Sequence, residues 1–378
     1  MAIHRHEQPF SEEMVWRNNG GAVLLDEYLP KSEMPSHISD YQIQGLERVS
    51  LKEPEVTNTG AHIYQELCTF YDSNGHKIVR EATIGIPNSN LVETIPNAVA
   101  SSDPWTTGVR GLNHIKIKGL VDMGYPVIWL HHADERSPLQ RNKSITRSAR
   151  QMHALLDDLD GSTDFSVNEV IADGYSRGGM TGEKFIALAR QHRRKVLFSI
   201  FDAPCFATDM SGPEKRATLA RQLPKELIGI GSIAVRHLLH GLKRGDLTSL
   251  PEFAKTLNLH PKNIAQEVMW ATALINANVG PMIDHQPKST KGIRNFFESD
   301  EMSQIATYVD LYASHPGVVV IAHEGPHIEG ASPQYLYEVR EAQFSSLGRA
   351  ILNGLELDAS SIAQEAELYL RSLSLVNS

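Results

Sequence analysis

Cysteine, long hydrophobic runs and an excess of basic residues are all missing from this sequence. Two cysteines, Cys68 and Cys205, occur among 378 residues, far apart and in no C-x-x-C spacing, which excludes a disulfide framework and favours a reducing compartment. No apolar run approaches the ~20 residues that a membrane-spanning helix needs. The net charge of −9 at pH 7 argues against a nucleic-acid surface, so we expect neither nucleic acid nor a membrane as a partner.

A secretory signal is also missing from the start of the chain. The segment MAIHRHEQPFSEEMVW contains no apolar core and no small-residue cleavage site, so we expect a cytoplasmic protein. Hydrophobic residues make up 41% and charged residues 21%, which is typical of a globular chain. The length allows one large domain or a domain with an inserted segment.

Hydrophobic patterning divides the chain into a polar start and an α/β core. Residues 1–60 are polar and weakly patterned, so we interpret them as an N-terminal extension. After them, two alternating runs flank Asn74-Gly75, which predicts an antiparallel hairpin. Strand patterns and helix patterns then alternate up to residue 206. This alternation predicts a mostly parallel sheet that is covered by helices on both faces.

A late segment interrupts this alternation. Residues 207–290 contain helical patterns and no clear strand. The alternation resumes over residues 291–357, and a last helical pattern occupies residues 358–378. The sequence therefore predicts an α/β fold whose core combines residues 61–206 with residues 291–357, around a helical insertion.

The main functional signal is the segment GYSRG, residues 174–178, which matches the pattern G-x-S-x-G. An apolar strand pattern ends directly before it and a helix pattern begins directly after it, which is the context of a nucleophile elbow. Such a turn holds Ser176 in a strained conformation with its hydroxyl pointing away from the sheet, and larger residues in place of the glycines would collide with neighbouring elements. The amide of Arg177 would face an oxyanion at the helix N-terminus.

Ser176 requires a histidine as its base and a carboxylate that orients the histidine. In this architecture the expected chain order is Ser, then Asp or Glu, then His. His327 lies in the loop after the last predicted strand, from which it can reach back to the serine, and it is the preferred base. His323 lies nearer to that strand and is the alternative, although its position is more typical of a packed or capping histidine.

The preferred acid is Asp300, in the turn after a predicted strand, where a carboxylate can hold the imidazole N–H. Glu298 and Glu301 are alternatives if the strand ends one or two residues from its predicted end. Asp202, at the end of the preceding strand, is a further alternative. The second oxyanion donor is expected after the first parallel strand, where the amide of Ser101 or Ser102 would supply it.

Two other features border the predicted site. Trp105, in the loop after the first parallel strand, is expected to line the pocket. The segment WLHHADE adds four titratable side chains: His131, His132, Asp134 and Glu135. Adjacent histidines on a strand point to opposite faces and cannot easily share one ion, so we expect no metal and interpret the cluster as part of a pocket wall.

Together these motifs resemble the α/β-hydrolase superfamily over residues 60–353. The resemblance depends on GYSRGG, on DMGYPVIWLHH before it, on Asp300 after the penultimate strand and on His327 after the last strand. It implies that residues 207–290 form a helical cap over the active site. It also implies catalysis through an acyl-enzyme, without a metal or an organic cofactor.

The activity implied by the resemblance is that of a serine hydrolase, which cleaves a carboxylic ester or related acyl bond of a small-molecule substrate. Ser176 would be the nucleophile, His327 the general base and Asp300 its orienting acid. An acyltransferase or a thioesterase would use the same three residues with a different acceptor. A catalytically inactive protein that binds a ligand with the same fold is the remaining alternative. A homo-oligomer is compatible with each of these.

Overall fold

A central sheet with helices on both faces forms the body of the protein. The computed structural model describes residues 43–72, 75, 77–102, 110–133, 145–204, 211–244 and 279–376. Most of the predicted N-terminal extension, the helical patterns within residues 245–278, Asn74, Trp105 and Cys205 lie outside the described residues. Across the predicted hairpin, β3 and β4 pair in antiparallel fashion.

Within the described residues, ten strands belong to the sheet. They are β1 (Ile43–Ser50), β2 (Glu55–Val56), β3 (His62–Asp72), β4 (Lys77–Ile86), β5 (Asn97–Ser102), β6 (Val127–Ala133), β7 (Ser166–Tyr175), β8 (Lys195–Asp202), β9 (Gly292–Phe297) and β10 (Val318–His323). Their order is β1-β3-β4-β6-β5-β7-β8-β9-β10, and β2 pairs with β3 outside this path.

Helices connect the strands and cover the sheet. They are α1 (Arg110–Asp122), α2 (Ile145–Leu159), α3 (Arg177–Leu188), α4 (Gly212–Arg244), α5 (Val279–Asp284), α6 (Ile305–Tyr312), α7 (Glu341–Leu352) and α8 (Ala359–Val376). Two 3₁₀ turns, Ala189–His192 and His327–Ala331, and a π-helix, Tyr335–Arg340, complete the described elements.

The sheet combines a parallel half with an antiparallel half. Strands β5 to β10 pair in parallel, whereas β1 to β4 pair in antiparallel fashion and β4 joins the two halves by pairing antiparallel with β6. The prediction of a mostly parallel sheet is therefore only partly correct. The described residues before the predicted boundary at residue 60 already contribute β1 and β2 to the sheet. β1 is half exposed and lacks the apolar run of a buried strand, which explains why its sequence gives so weak a signal.

Apolar side chains fill both faces of the parallel half. Along β7, Val170 and Ala172 pack in one core cluster under α2 and α3, whereas Ile171 between them packs in a second cluster with α1 and α7. This division follows from the alternation of side chains along a strand. Complete burial of a side chain such as Ile171 contributes about 1.5–3 kcal/mol, so both helical layers are needed for stability.

The described part of the predicted cap consists mainly of α4. This helix runs without a break from Gly212 to Arg244, with Pro224 inside it, and lies against the turn His327–Ala331. The short helix α5 also falls in the predicted cap range, but Val279 and Met282 pack in the core beside Met180 of α3. Leu219 of α4 packs in the same cluster, so the end of the insertion at residue 290 stays a prediction.

Candidate active site

The turn between β7 and α3 holds Ser176 in an unusual backbone conformation. Ser176 has φ 56° and ψ −122° and is 3% exposed. Its N–H donates to the carbonyl oxygen of Asp202 at 2.8 Å, and its carbonyl oxygen accepts the N–H of Met180 at 3.2 Å. A non-glycine residue in such a conformation costs about 1–3 kcal/mol, which the surrounding contacts must supply.

Glycine at position 174 makes this turn possible. A Cβ atom on Gly174 would lie 2.4 Å from the carbonyl oxygen of Gly178, well inside van der Waals contact. The strand therefore passes so close to the first turn of α3 that no larger residue fits. This close approach explains why the first position of the G-x-S-x-G pattern is a glycine.

His327 lies over the serine in the 3₁₀ turn that follows β10. Its Nε2 is 2.9 Å from Oγ of Ser176, and the ring is almost completely buried. The hydroxyl of Tyr175 donates to the carbonyl oxygen of His327 at 2.8 Å, and the two rings stack with centroids 5.4 Å apart. These contacts hold both the backbone and the ring of the histidine.

Asp300 accepts a hydrogen bond from the other imidazole nitrogen. The Nδ1 of His327 donates to Oδ2 of Asp300 at 2.6 Å. The second carboxylate oxygen, Oδ1, accepts the backbone N–H groups of Met302 at 2.8 Å and Ser303 at 3.2 Å. Hydrogen bonds to these donors stabilise the negative charge of the carboxylate and fix its orientation. The Ser176, His327 and Asp300 side chains thus form one chain of hydrogen bonds.

His323, the alternative base, makes different contacts. It is the last residue of β10, and its Nε2 donates to Oδ1 of Asn295 at 2.9 Å. Its ring packs against those of Phe297 and Tyr335. Burial lowers the pKa of His323 to about 4, so its imidazole is neutral at pH 7. The structure places its side chain in the packing behind the site rather than on Ser176.

The alternative acids also lie elsewhere. Glu298 is exposed, and Glu301 forms ion pairs with Arg221 at 3.1 Å and Lys225 at 3.4 Å, both on α4. Asp202 is completely buried and accepts hydrogen bonds from other residues of the core. None of the three contacts His327 in the described structure, whereas Asp300 does.

The predicted oxyanion donors lie near the serine, but only part of their surroundings is described. Arg177 is the first residue of α3, where amides fall outside the hydrogen-bond ladder of the helix itself. Ser101 and Ser102 are residues of β5 that pair in register with Asp173 and Gly174 of β7. The loop that follows, residues 103–109, is outside the described structure. The assignment of the second donor stays a prediction.

His131 of the HHADE segment makes its described contacts within the sheet, where its carbonyl oxygen accepts a hydrogen bond from Nε of Arg80 at 2.6 Å. The Nε2 of His131 lies 2.7 Å from Oγ1 of Thr83, within the sheet, while Asp134 and Glu135 are outside the described residues. Across the described ranges, no three His, Cys, Asp or Glu side chains come close enough to hold a metal ion. Within the same ranges, no helix has both the length and the hydrophobicity that a membrane crossing requires.

A buried charged cluster beneath the serine turn is absent from the sequence-based prediction. Arg340 forms ion pairs with both Asp173 and Asp202. Desolvation lowers the pKa of Lys116 well below its usual value; the charge of Arg340 adds to this effect and that of Asp202 opposes it. Burial raises the pKa of Asp202, against the charge of Lys116 and the hydrogen bond from Tyr335. No local pattern signals this cluster, because its members come from four separate elements.

Comparisons with known proteins find similarity to solved structures at low sequence identity. No protein-family model matches the sequence, and no curated protein matches it either. Candida antarctica lipase A in its closed state is 12% identical and has a TM-score of 0.47, over 92% of this chain and 94% of the lipase. A rice cell wall degrading esterase, LipA from Xanthomonas oryzae, is 11% identical with a TM-score of 0.47, over 83% and 99% of the two chains. Est1E from Butyrivibrio proteoclasticus is 13% identical with a TM-score of 0.43, over 76% and 99%.

Identities this low say nothing about substrate, whereas the strand order of the chain itself is characteristic of a fold. Six parallel strands follow an antiparallel edge, and β6 lies between β4 and β5, so the sheet does not follow chain order. Ser176 stands at the sharp turn between β7, an interior strand of the sheet, and the helix α3 that follows it, as a nucleophile elbow does. By this strand order and this turn, the chain has the α/β-hydrolase fold.

Proposed function

We propose that this protein is a serine hydrolase that cleaves a carboxylic ester or a related acyl bond in a small molecule. One observation carries the proposal. His327 bridges Ser176 and Asp300, with 2.9 Å to the serine Oγ and 2.6 Å to the aspartate Oδ2. This is the relation of nucleophile, base and orienting acid that acyl transfer by a serine requires.

The first chemical step uses these three side chains in order. Nε2 of His327 takes the proton of the Ser176 hydroxyl as Oγ attacks the acyl carbonyl carbon. The Nδ1–H group of the histidine stays hydrogen-bonded to Oδ2 of Asp300, and the carboxylate stabilises the imidazolium that forms. The imidazolium then gives its proton to the leaving alcohol, and the acyl group remains on the serine.

The same histidine serves the second step. His327 takes a proton from a water molecule as the water oxygen attacks the acyl carbonyl carbon, and the imidazolium then gives this proton to Oγ of Ser176 as the bond between Oγ and the acyl group breaks and the acid leaves. The amide of Arg177 is assigned as one oxyanion donor because the N-terminus of a helix favours negative charge. An amide at Ser101 or Ser102 is the proposed second donor. Each such donor contributes about 3 kcal/mol to the stabilisation of the oxyanion.

A fluorophosphonate probe tests the proposal directly, because it phosphonylates an activated serine and no ordinary one. We expect wild-type protein to take up one equivalent of probe, found on the peptide that contains Ser176. Ser176→Ala should take up none. Ser360→Ala, a change at an exposed serine on α8, is the matched control and should label like wild type. Wild-type protein that takes up no probe would favour an inactive, ligand-binding member of the fold.

A second measurement separates hydrolysis from transfer. p-Nitrophenyl esters of increasing acyl length are supplied with and without an added alcohol, and the products are separated. Free acid as the main product in both conditions supports the hydrolase. A new ester that forms as fast as nitrophenol is released would assign an acyltransferase instead, and preference for thioesters would assign a thioesterase.

A further inference from the structure

A buried arginine connects β7, which leads into the serine turn, with β8, which accepts a hydrogen bond from that turn. Arg340 is 3% exposed, and its guanidinium forms ion pairs with Asp173 of β7 and Asp202 of β8. Both carboxylates are almost completely buried as well. Because an arginine presents several N–H groups in a rigid plane, it can hold two carboxylates at once, which the single ammonium of a lysine does less well.

Each of these aspartates is tied to the backbone around Ser176. The carbonyl oxygen of Asp202 accepts the N–H of Ser176 at 2.8 Å. Asp173 lies on β7, three residues before the serine, and its Oδ2 accepts a hydrogen bond from the hydroxyl of Ser101 at 2.8 Å. Movement of either aspartate would therefore move the backbone that supports the strained conformation of the serine.

The helix that carries Arg340 has a geometry suited to this contact. Residues Tyr335–Arg340 form a π-helix, and both of its end residues reach Asp202: the Tyr335 hydroxyl donates to Oδ1 at 2.7 Å, and Arg340 pairs with Oδ2. In an α-helix, residues five positions apart are separated by about 140° around the axis. In a π-helix the hydrogen bonds join residues five positions apart, so such residues lie near the same side. The π-helix thus allows two side chains to hold one carboxylate.

Arg340 is the ion-pair partner that the two buried carboxylates share. The amino group of Lys116 lies nearby, over the rings of Trp129 at 5.5 Å and Tyr175 at 5.9 Å. Breaking a buried ion pair by removing one partner is strongly destabilising, because it leaves a charge without compensation. Stability alone would not require such a cluster, since a well-packed apolar group is often as stabilising.

We propose that Arg340 is a positioning residue for Ser176: it holds Asp173 and Asp202 so that the serine turn keeps its strained conformation and its hydroxyl stays aligned with His327. Arg340 contacts no reacting atom in this role. The proposal depends on the proposed function only for its kinetic consequence, because the position of the serine turn can be measured without any substrate.

The test compares Arg340→Lys with Arg294→Lys. Arg294 is the matched control, since it is also completely buried and ion-paired, with Nε donating to Glu183 Oε1 at 2.8 Å. Its other described hydrogen bonds go to Tyr312, Ser199 and Ile293, and none of these residues binds the Ser176 backbone. Two quantities are measured: hydrogen exchange of the amides in residues 174–180, and kcat per active site titrated with the fluorophosphonate probe. Titration removes molecules that fail to fold from the comparison.

We expect Arg340→Lys to speed exchange at the Ser176 amide at least tenfold and to lower kcat per titrated site by about 10- to 100-fold, with little change in KM. Arg294→Lys should lower thermal stability but leave both quantities within about twofold of wild type. Tyr335→Phe, which removes one hydrogen bond to Asp202, should give a smaller change in the same direction, about threefold.

Two results would overturn the role of Arg340. One is wild-type exchange at Ser176 in Arg340→Lys; the other is an equal loss of kcat per site in both lysine variants. If wild-type protein takes up no probe, the proposed function fails, and the exchange measurement still decides whether Arg340 holds the turn.

Discussion

Two histidines that lie four residues apart in the sequence occupy opposite kinds of environment. His323 ends β10, packs against aromatic rings and donates to the side-chain oxygen of Asn295. His327 lies in the 3₁₀ turn after that strand and bridges a serine hydroxyl and a carboxylate. Both rings are largely shielded from water, so burial does not distinguish them.

The difference between the two histidines lies in their partners. Burial without a carboxylate lowers the pKa of His323 to about 4, and its imidazole can hardly accept a proton at neutral pH. A carboxylate 2.6 Å from Nδ1, as at His327, stabilises the protonated ring that a general base must become. The comparison teaches that a base is recognised by its acid partner rather than by its depth in the protein.

The largest expected effect is loss of the base. His327→Ala should lower kcat by a factor on the order of 10⁵ while the protein still folds, because it removes the imidazole that is hydrogen-bonded to the serine hydroxyl. His323→Ala should retain kcat within about tenfold, since that ring does not touch Ser176. Steady-state hydrolysis of p-nitrophenyl acetate, with circular dichroism as the folding control, measures both. The reverse ranking would exchange the assignments of the two histidines.

Removal of the acid should have a somewhat smaller effect. In Asp300→Asn an amide replaces the carboxylate that accepts Nδ1–H, which disfavours the required tautomer and leaves the imidazolium without its counter-charge. We expect kcat to fall by about 10⁴. Glu298→Gln, an exposed neighbour, is the control and should remain within twofold of wild type. Equal losses in the two variants would exclude Asp300 as the orienting acid.

The low pKa of His323 predicts a pH dependence of stability. Its pKa is about 4 in the folded protein against 6.5 for an unperturbed histidine. Between these values the unfolded chain binds a proton that the folded protein does not, so the free energy of unfolding falls as the pH drops from 6.5 to 4. The contribution is about 2 kcal/mol, with allowance for partial exposure of the ring.

His323→Gln removes this proton-binding group and keeps a donor for Asn295. Urea unfolding at pH 7 and at pH 4.5 should therefore show a smaller loss of stability for the variant than for wild type. His237, whose pKa is also lowered to about 4 by burial, remains in both proteins and contributes equally to both measurements. An unchanged pH dependence would mean that His323 titrates normally in the folded protein.

The smallest effect is expected from the hydroxyl that holds the His327 backbone. Tyr175→Phe removes the 2.8 Å hydrogen bond to the carbonyl oxygen of His327 but keeps the stacked ring. We expect a loss of stability of about 1 kcal/mol and a several-fold fall in kcat. Thermal unfolding and kcat per titrated site measure the two effects. A variant that matches wild type in both would show that ring stacking alone holds the turn.

Local patterns predicted the parallel half of the sheet well and its antiparallel edge less well. The buried strands β5, β6, β7 and β8 appear as apolar runs, because both of their faces are covered. The side chains of β1 are all exposed or partly exposed, and they include the charged residues Glu47 and Arg48, so its sequence resembles a polar segment. Likewise α5, six residues long, is too short for helical spacing to show that it belongs to the core.

The amino-acid sequence by itself determined where the serine turn lies and why glycine precedes it, because a Cβ atom at Gly174 would collide with the carbonyl oxygen of Gly178. It also narrowed the acid and the base to a few candidates by their order along the chain. Only the tertiary structure decided which of them meet, since Ser176 and His327 are 151 residues apart and Asp300 lies 27 residues from the histidine. The tertiary structure also decided that Arg340 pairs with Asp173 and Asp202, because buried charges are paired by packing between distant elements and leave no periodic signal in the sequence.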